Sequence, residues 1–238
     1  DISTSGKFRV MGTLYALDKV ISGTGSYLMD ESTVTLTGTT AVGGTSITSA
    51  SSIVGVDAGM LIAGTGIESG TYVTGASGTT IYISKAATAV GSGISFTLSK
   101  VVGTLKSGHA NGINGNIATS GANVINVKSN IEYNGSVPQV TGTLLPTSIK
   151  NLTINNSTGV TLSAAATVTN ALTFTYGNLD LGSNNLTIGS SGSISGADYS
   201  KFIVTSGAGV LRLNTNSGTV IYPIGSSSTS YSPLITTN

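Results

Sequence analysis

The chain has 238 residues, of which 39% are hydrophobic, 5% are aromatic and only 8% are charged. Ten Lys and Arg side chains against nine Asp and Glu leave a formal net charge of +1, too weak a field to attract nucleic acid or an anionic membrane surface. The chain contains no cysteine, which excludes a disulfide framework, and no apolar run reaches the roughly 18 residues that a membrane-spanning helix needs.

The residue types favour β-structure throughout the chain. Val, Ile and Leu alternate with Thr, Ser and Asn, and 33 glycines interrupt the sequence, a mixture that suits pleated strands and tight turns better than helix. Trp is absent, so the core must be built mainly from aliphatic residues. We therefore expect an all-β fold with negligible helix.

The two ends of the sequence are strand-like. Asp1 to Val10 lack a basic segment followed by an apolar stretch, so no signal peptide is predicted there. Because a stack of strands exposes apolar surface and unpaired edges at its ends, Phe8 and Val10 near the start, and Leu234 and Ile235 near the finish, are predicted assembly contacts. These residues would contact a second copy or the continuation of a longer chain.

The segment 38–99 is denser in Gly and Ala than its surroundings. It predicts a small β module inserted into a solenoid-like domain formed by residues 1–37 and 100–238. Similar strand segments at 33–37 and 95–99 flank the module and would let the chain enter and leave at adjacent points. Tyr72 and Tyr82 are its predicted partner contacts, because tyrosine offers a large amphipathic contact surface.

Asn134-Gly135 lies between two strand-like segments and is a type I′ turn signal, which predicts a local antiparallel hairpin.

Short strands of period two recur between Leu152 and Ile194, at intervals of about seven or eight residues. Three such strands make a coil of about 20 residues, the scale of one rung of a parallel β-helix or β-solenoid. A single rung cannot bury its apolar face, whereas stacked rungs bury a continuous aliphatic column. An antiparallel β-sandwich is the alternative fold. The predicted core column comprises Leu152, Val160, Leu162, Leu172, Phe174, Leu179, Leu186 and Ile188.

The residues that carry chemistry are sparse and scattered. His109 is the only histidine, and without cysteine or a second histidine no zinc site is predicted. The nine acidic residues are dispersed along the sequence, so their spacing favours neither a paired-carboxylate site nor a calcium site. The glycine-rich stretch from Gly64 to Gly70 lacks the lysine of a phosphate-binding loop. We therefore predict no catalytic, cofactor or metal site, and a chain that is not an enzyme.

Several segments carry a family resemblance. The run from Tyr133 to Gly142, the Asn-Leu-Thr-Ile strands at Asn151 and Asn185, and Gly-Asn-Leu-Asp-Leu-Gly from Gly177 resemble β-strand repeats of very large secreted, adhesin-like surface proteins of Bacteroidetes. The likeness covers approximately residues 103–238 and extends to 6–37. Separately, residues 59–88 resemble a small β module of phage tail-associated and surface proteins, where it is a decoration or interaction element.

The resemblance implies export through the type IX secretion route and an extracellular location at the bacterial cell surface. The leading hypothesis is a structural or adhesive protein that forms a stalk or fibre by stacking of β rungs. A glycan-binding module is the alternative, with ice binding less favoured because the Thr-x-Thr pairs at Thr33, Thr167 and Thr173 are irregularly spaced. A polysaccharide-cleaving β-helix enzyme ranks third. The predicted partners are other copies of this chain, or adjoining segments if it continues in a longer chain, together with glycans and a host or cell surface.

Overall fold

The computed structural model describes residues 1–10, 12–100, 102–214 and 218–237. The chain divides into two compact units: a solenoid unit of Asp1–Met29 with Val102–Asn238, and an inserted unit of Asp30–Val101. The bounds of the inserted unit are wider than the predicted 38–99. The reason is that its two flanking segments pair antiparallel with each other, from Thr33 opposite Ser99 to Thr40 opposite Gly91, as strands of that unit.

Before and within the inserted unit the described strands are β1 (Ile2–Ser3), β2 (Lys7–Arg9), β3 (Thr13–Leu17), β4 (Ile21–Gly23), β5 (Ser26–Met29), β6 (Thr33–Thr40), β7 (Ser46–Ile47), β8 (Leu61–Gly64), β9 (Val73–Ser77), β10 (Thr80–Ile83) and β11 (Gly91–Ser99). The chain then continues with β12 (Thr104–Ser107), the one-turn helix α1 (Ile113–Asn116), β13 (Ile117–Thr119), β14 (Asn123–Ile125), β15 (Asn130–Tyr133), β16 (Gln139–Val140), β17 (Ser148–Asn155) and β18 (Val160–Thr161). The remaining strands are β19 (Ala166–Tyr176), β20 (Leu179–Asp180), β21 (Leu186–Ile188), β22 (Ser193–Ser195), β23 (Ile203–Val204), β24 (Leu211–Leu213), β25 (Thr219–Tyr222), β26 (Ile224–Ser227), β27 (Ser230–Tyr231) and β28 (Leu234–Thr237).

The solenoid unit is built from parallel sheets. The largest has the order β24-β21-β19-β17-β15-β12-β3, with β22 also paired to β19, and a second has the order β16-β18-β20-β23-β26-β27. Smaller parallel sheets, β1-β4-β13 and β14-β5-β2, form further faces. Neighbouring strands are one coil apart in sequence: Asn151 pairs with Ala171, twenty positions later. The β-solenoid prediction is confirmed, and the antiparallel sandwich is wrong. Antiparallel pairing within this unit is confined, among the described strands, to β26-β27 and β25-β28.

The core of the solenoid unit is a set of aliphatic columns. Leu105, Ile131, Leu152 and Leu172 stand in register on four successive strands, and none is more than 1% exposed. All eight residues of the predicted core column are buried. Each inward side chain therefore packs on the side chains of the coils above and below it, as the stacking argument requires.

The predicted hairpin at Asn134-Gly135 is wrong. β15 pairs in parallel with β12 and β17, and β16 pairs in parallel with β18, so the turn is a corner between two faces of the solenoid. The corner is held by a side chain, because the Gly135 amide donates to Gln139 Oε1 at 2.8 Å.

The inserted unit contains two three-stranded antiparallel sheets, β6-β11-β8 and β7-β10-β9. Its own core includes fully buried Ile47, Met60 and Phe96. Lys100, whose side chain is 7% exposed, has its ammonium 3.2 Å from Asp30 Oδ2 and 3.1 Å from Asp57 Oδ2. Two carboxylates thus compensate one largely buried charge.

In the part of the chain that the structure describes, no helix is long and apolar enough to cross a membrane.

The stacking account predicts the cost of truncating one inward side chain. Replacing Leu172, which is fully buried, by Ala should lower the free energy of unfolding by about 2 to 5 kcal/mol, since transfer energy is lost and a cavity remains. Urea denaturation measures this loss. Thr173→Ala, the outward-facing neighbour on the same strand, is the control and should cost far less. Equal losses in the two variants would show that the inside and outside of the coil are wrongly assigned.

Candidate functional site

Amide side chains fix one corner where the coils turn between two faces. Gln139 donates from Nε2 to the carbonyl oxygens of Ser107, at 3.0 Å, and His109, at 2.9 Å. Asn156, fully buried, donates from Nδ2 to Val137 O at 2.7 Å and to Gln139 Oε1 at 2.9 Å. Each amide thereby satisfies polar groups on a neighbouring coil, where an unpaired group would be costly.

The same corner continues through residues 176–178. Gly177 has φ +74°, and a Cβ at this position would collide with the carbonyl oxygen of Asn156, so the close approach of the two coils requires glycine. Asn178 accepts a hydrogen bond at Oδ1 from Phe202 N at 2.9 Å and donates from Nδ2 to Ser228 O at 2.9 Å. It thus connects its own coil to two later segments of the chain.

A groove of about 310 Å³ lies beside this corner, on the outer face of the second parallel sheet. Its lining comes from five successive coils: Pro138 just before β16, β18 and its preceding turn, β20, β23, and the β26-β27 turn. Five coils spaced at about 4.8 Å give it a length on the order of 20 Å. The lining residues are Pro138, Thr158, Gly159, Val160, Thr161, Asn178, Asp180, Val204, Ser206, Ser227 and Ser228. We call these residues the axial groove.

A second depression, of about 280 Å³, lies on the other side of the same corner. Ser157 and Gly177 line it, while their chain neighbours Thr158 and Asn178 line the axial groove. Tyr176 contributes a side chain that is 62% exposed. The other lining residues are Thr175, Ser200 and Lys201. We call this depression the tyrosine shelf.

The charges at the tyrosine shelf are paired. The ammonium of Lys201 contacts Asp198 Oδ2, and Asp198 Oδ1 accepts hydrogen bonds from Ser200 N and Ser200 Oγ. These contacts, the lysine first, hold the pKa of the Asp198 carboxyl well below its usual range. The Lys201 charge is therefore compensated within the shelf.

The outer face of the largest sheet carries a polar ladder. Lys106 lies 4.9 Å from the ring centroid of Tyr15 and 2.7 Å from Glu132 Oε2. Asn155 donates a hydrogen bond to Glu132 Oε1 at 2.7 Å. The hydrogen bond that Lys106 itself makes to Glu132 is the main reason why the pKa of Lys106 is raised. Tyr15, Lys106, Glu132 and Asn155 therefore contact one another in sequence, and their polar groups are paired within this face.

Threonines align only over short distances on that face. Thr153 stands opposite Thr173, and Thr167 opposite Thr187. The first pair continues into Glu132 on one side and Ser195 on the other. No extended threonine array forms among these described strands.

The predicted assembly residues fall in different environments. Val10 is buried and Phe8 is half-buried against the Tyr27 ring, with centroids 5.9 Å apart, so little of either side chain faces outward. Leu234 and Ile235 lie on β28 and are 51% and 59% exposed. An assembly role for these four residues stays a prediction.

Tyr72 and Tyr82 lie on one outer face of the inserted unit. Each is 47% exposed, and their neighbours Val73 and Ile83, which pair with each other, point into the core. A partner contact at these tyrosines stays a prediction.

Sequence reasoning missed the axial groove and the tyrosine shelf. Asp180 and Tyr176 occur in strands that were recognised, but nothing in their local sequence distinguishes them from other outward residues. The only available signal was the coil length of about 20 residues, which places Thr161 and Asp180 side by side.

His109 lies in a turn, where its Nδ1 accepts a hydrogen bond from the amide of Asn111 at 3.0 Å. Within the described residues, no group of three or more His, Cys, Asp or Glu side chains is placed to hold a metal ion.

Comparisons with known proteins give one weak likeness. No protein-family model matches the chain, and no curated protein matches it. Among solved structures, it is similar to the Gp54 tailspike of the Acinetobacter baumannii bacteriophage AP22, in complex with A. baumannii capsular saccharide. The identity is 11% and the TM-score is 0.24, over 87% of this chain and 40% of the tailspike chain. A superposition at this level carries no argument about function.

The prediction that the chain is not an enzyme is corrected. In a solenoid, the sequence gives no ground to dismiss a polysaccharide-cleaving enzyme. The dismissal rested on the scatter of acidic residues along the sequence, and a solenoid invalidates that reasoning. Lys106 and Glu132 are 26 positions apart and yet 2.7 Å from each other. Distance along the chain is therefore no measure of distance between side chains here.

The corner network predicts unequal roles for two adjacent asparagines. Replacing Asn156 by Ala should lower the free energy of unfolding by about 1 to 3 kcal/mol, because it removes all four hydrogen bonds of a fully buried side chain. Asn155→Ala, which removes a single, part-buried hydrogen bond to Glu132, is the matched control and should cost less. Denaturant unfolding compares the two variants. A larger loss for Asn155→Ala would contradict the assignment of the corner.

Proposed function

We propose that the chain is an extracellular, surface-displayed segment whose solenoid unit binds a polysaccharide along the axial groove and over the tyrosine shelf. The observation that carries the proposal is the groove itself. Four coils contribute hydroxyl, amide and carboxylate groups to one open channel, and an exposed tyrosine lies just across the corner. An open channel that runs along the stack suits a linear polymer better than a compact small molecule.

The chemistry of the lining matches that of a sugar chain. Sugar hydroxyls both donate and accept hydrogen bonds, and the Thr, Ser, Asn and Asp groups of the axial groove offer both functions. The apolar face of a sugar ring packs on an aromatic side chain, for which Tyr176 is available. The corner amides hold both surfaces on a rigid scaffold, which lowers the entropy cost of binding.

Surface display and the type IX route remain predictions that rest on the resemblance to Bacteroidetes repeat proteins. A structural or adhesive role is compatible with glycan binding. The stacked coils supply reach and stiffness, and the axial groove supplies contact.

The proposal predicts that Tyr176 contributes to glycan affinity. Affinity electrophoresis of the full chain in gels containing dextran, hydroxyethylcellulose or galactomannan should show retardation by at least one of these polymers. Tyr176→Ala should then raise the dissociation constant about threefold to tenfold, as expected for loss of aromatic packing. The same incubations are assayed for new reducing ends, which would reveal cleavage.

Tyr15→Ala is the matched control, since Tyr15 is 63% exposed but lies on the outer face of the largest sheet. It should leave retardation unchanged. Equal effects of the two tyrosine variants, or no retardation by any glycan, acidic ones included, would contradict the proposed function.

Self-association through β28 is a second candidate function, favoured by the exposure of Leu234 and Ile235 beside exposed Ile221. Sedimentation velocity should show concentration-dependent association that the double variant Leu234→Ser, Ile235→Ser weakens. Val54→Ser, at a site 83% exposed in the inserted unit, is the control and should associate like the parent chain. A parent chain that stays monomeric at high concentration would contradict this role.

A further inference from the structure

The axial groove carries one kind of charge. Of its lining residues, only Asp180 has an acidic or basic side chain. The remaining polar groups are the hydroxyls of Thr158, Thr161, Ser206, Ser227 and Ser228 and the amide of Asn178. A ligand in the groove therefore meets neutral hydrogen-bonding groups and one carboxylate.

The Asp180 carboxylate is oriented by its own coil and the next one. Its Oδ1 accepts the Gly182 amide at 2.9 Å and lies 3.4 Å from Ser206 Oγ. The hydrogen bonds that this side chain makes to described residues all go to Oδ1. The second oxygen, Oδ2, thus has acceptor capacity for a ligand in the groove.

No cation in the lining offsets this carboxylate. The nearest basic residue in the two depressions is Lys201, which belongs to the tyrosine shelf and is paired with Asp198. A carboxylate on a ligand in the axial groove would face Asp180 without a compensating positive group in the lining. Sugar hydroxyls would instead donate to Asp180 and exchange hydrogen bonds with the surrounding Ser and Thr side chains.

We infer that the axial groove takes neutral, hydroxyl-rich polysaccharides and discriminates against acidic ones, and that Asp180 is the residue that sets this specificity. The inference rests on the proposed glycan-binding function and names its substrate class. In a groove that is open to water, like charges a few ångströms apart are screened almost as in bulk water, and their repulsion weakens binding about threefold to tenfold. Salt screens that repulsion, so the discrimination shrinks as ionic strength rises.

The test uses the full chain and pairs of polymers that share a backbone and differ in charge. Dextran, hydroxyethylcellulose and galactomannan are each compared with a carboxymethylated form of the same backbone by affinity electrophoresis at low ionic strength. The neutral form should bind about threefold to tenfold more tightly than its acidic counterpart. Asp180→Asn should bring the two affinities together, mainly by improving binding of the acidic form.

Glu132→Gln is the matched control, because it neutralises a carboxylate on a different outer face of the same unit. It should leave the preference for neutral polymers intact. Thermal unfolding of each variant establishes that it is folded before its affinity is interpreted.

The outcomes separate this inference from the proposed function. Acidic forms that bind as tightly as neutral ones, or an Asp180→Asn variant that keeps the full preference, would overturn the inference while glycan binding stands. If no polymer of either charge binds, the proposed function fails and the inference fails with it.

Discussion

The structure depends on in-register stacking of coils of about 20 residues. Leu152 packs under Leu172 because Asn151 pairs with Ala171, and parallel pairing that aligns apolar side chains continues from β3 to β24. A coil alone would expose its apolar face, whereas stacked coils bury a continuous column. This constraint also acts on the outer surface, because the residues between the buried ones are stacked as well. The polar ladder from Tyr15 to Asn155 and the axial groove are both consequences of that register.

The corners are the second requirement of a stacked coil, because there the backbone leaves one sheet before it enters the next. Gln139, Asn156 and Asn178 supply side-chain hydrogen bonds where the sheet hydrogen bonds stop. Gly177 permits the close approach that brings these coils together. The same residues set the position of Tyr176 on one side and of Asp180 on the other. Stability and the candidate site therefore share one corner.

Much of the fold could be predicted from the sequence, because aliphatic periodicity is a local signal and stacking follows from it. That signal identified Leu172 and Phe174 as core residues. The predicted hairpin at Asn134-Gly135 is wrong because the same residues favour a turn in a hairpin and at a solenoid corner. The parallel pairing of Tyr133 with Ser107 and Ile154 shows that this turn is a corner. The axial groove could not be foreseen, since its walls come from segments up to about 90 positions apart, from Pro138 to Ser228.

Hydrogen–deuterium exchange of the full chain, with and without a bound polysaccharide fragment, tests the central claim most directly. The account predicts slower amide exchange in residues 156–161, 176–182, 203–206 and 226–228, which come from separate coils but line one groove and its shelf. The outer face of the largest sheet, around Lys106 and Glu132, should not change. Protection confined to that face, or spread evenly over the solenoid unit, would contradict the claim that the stacked coils form a polysaccharide site at this corner.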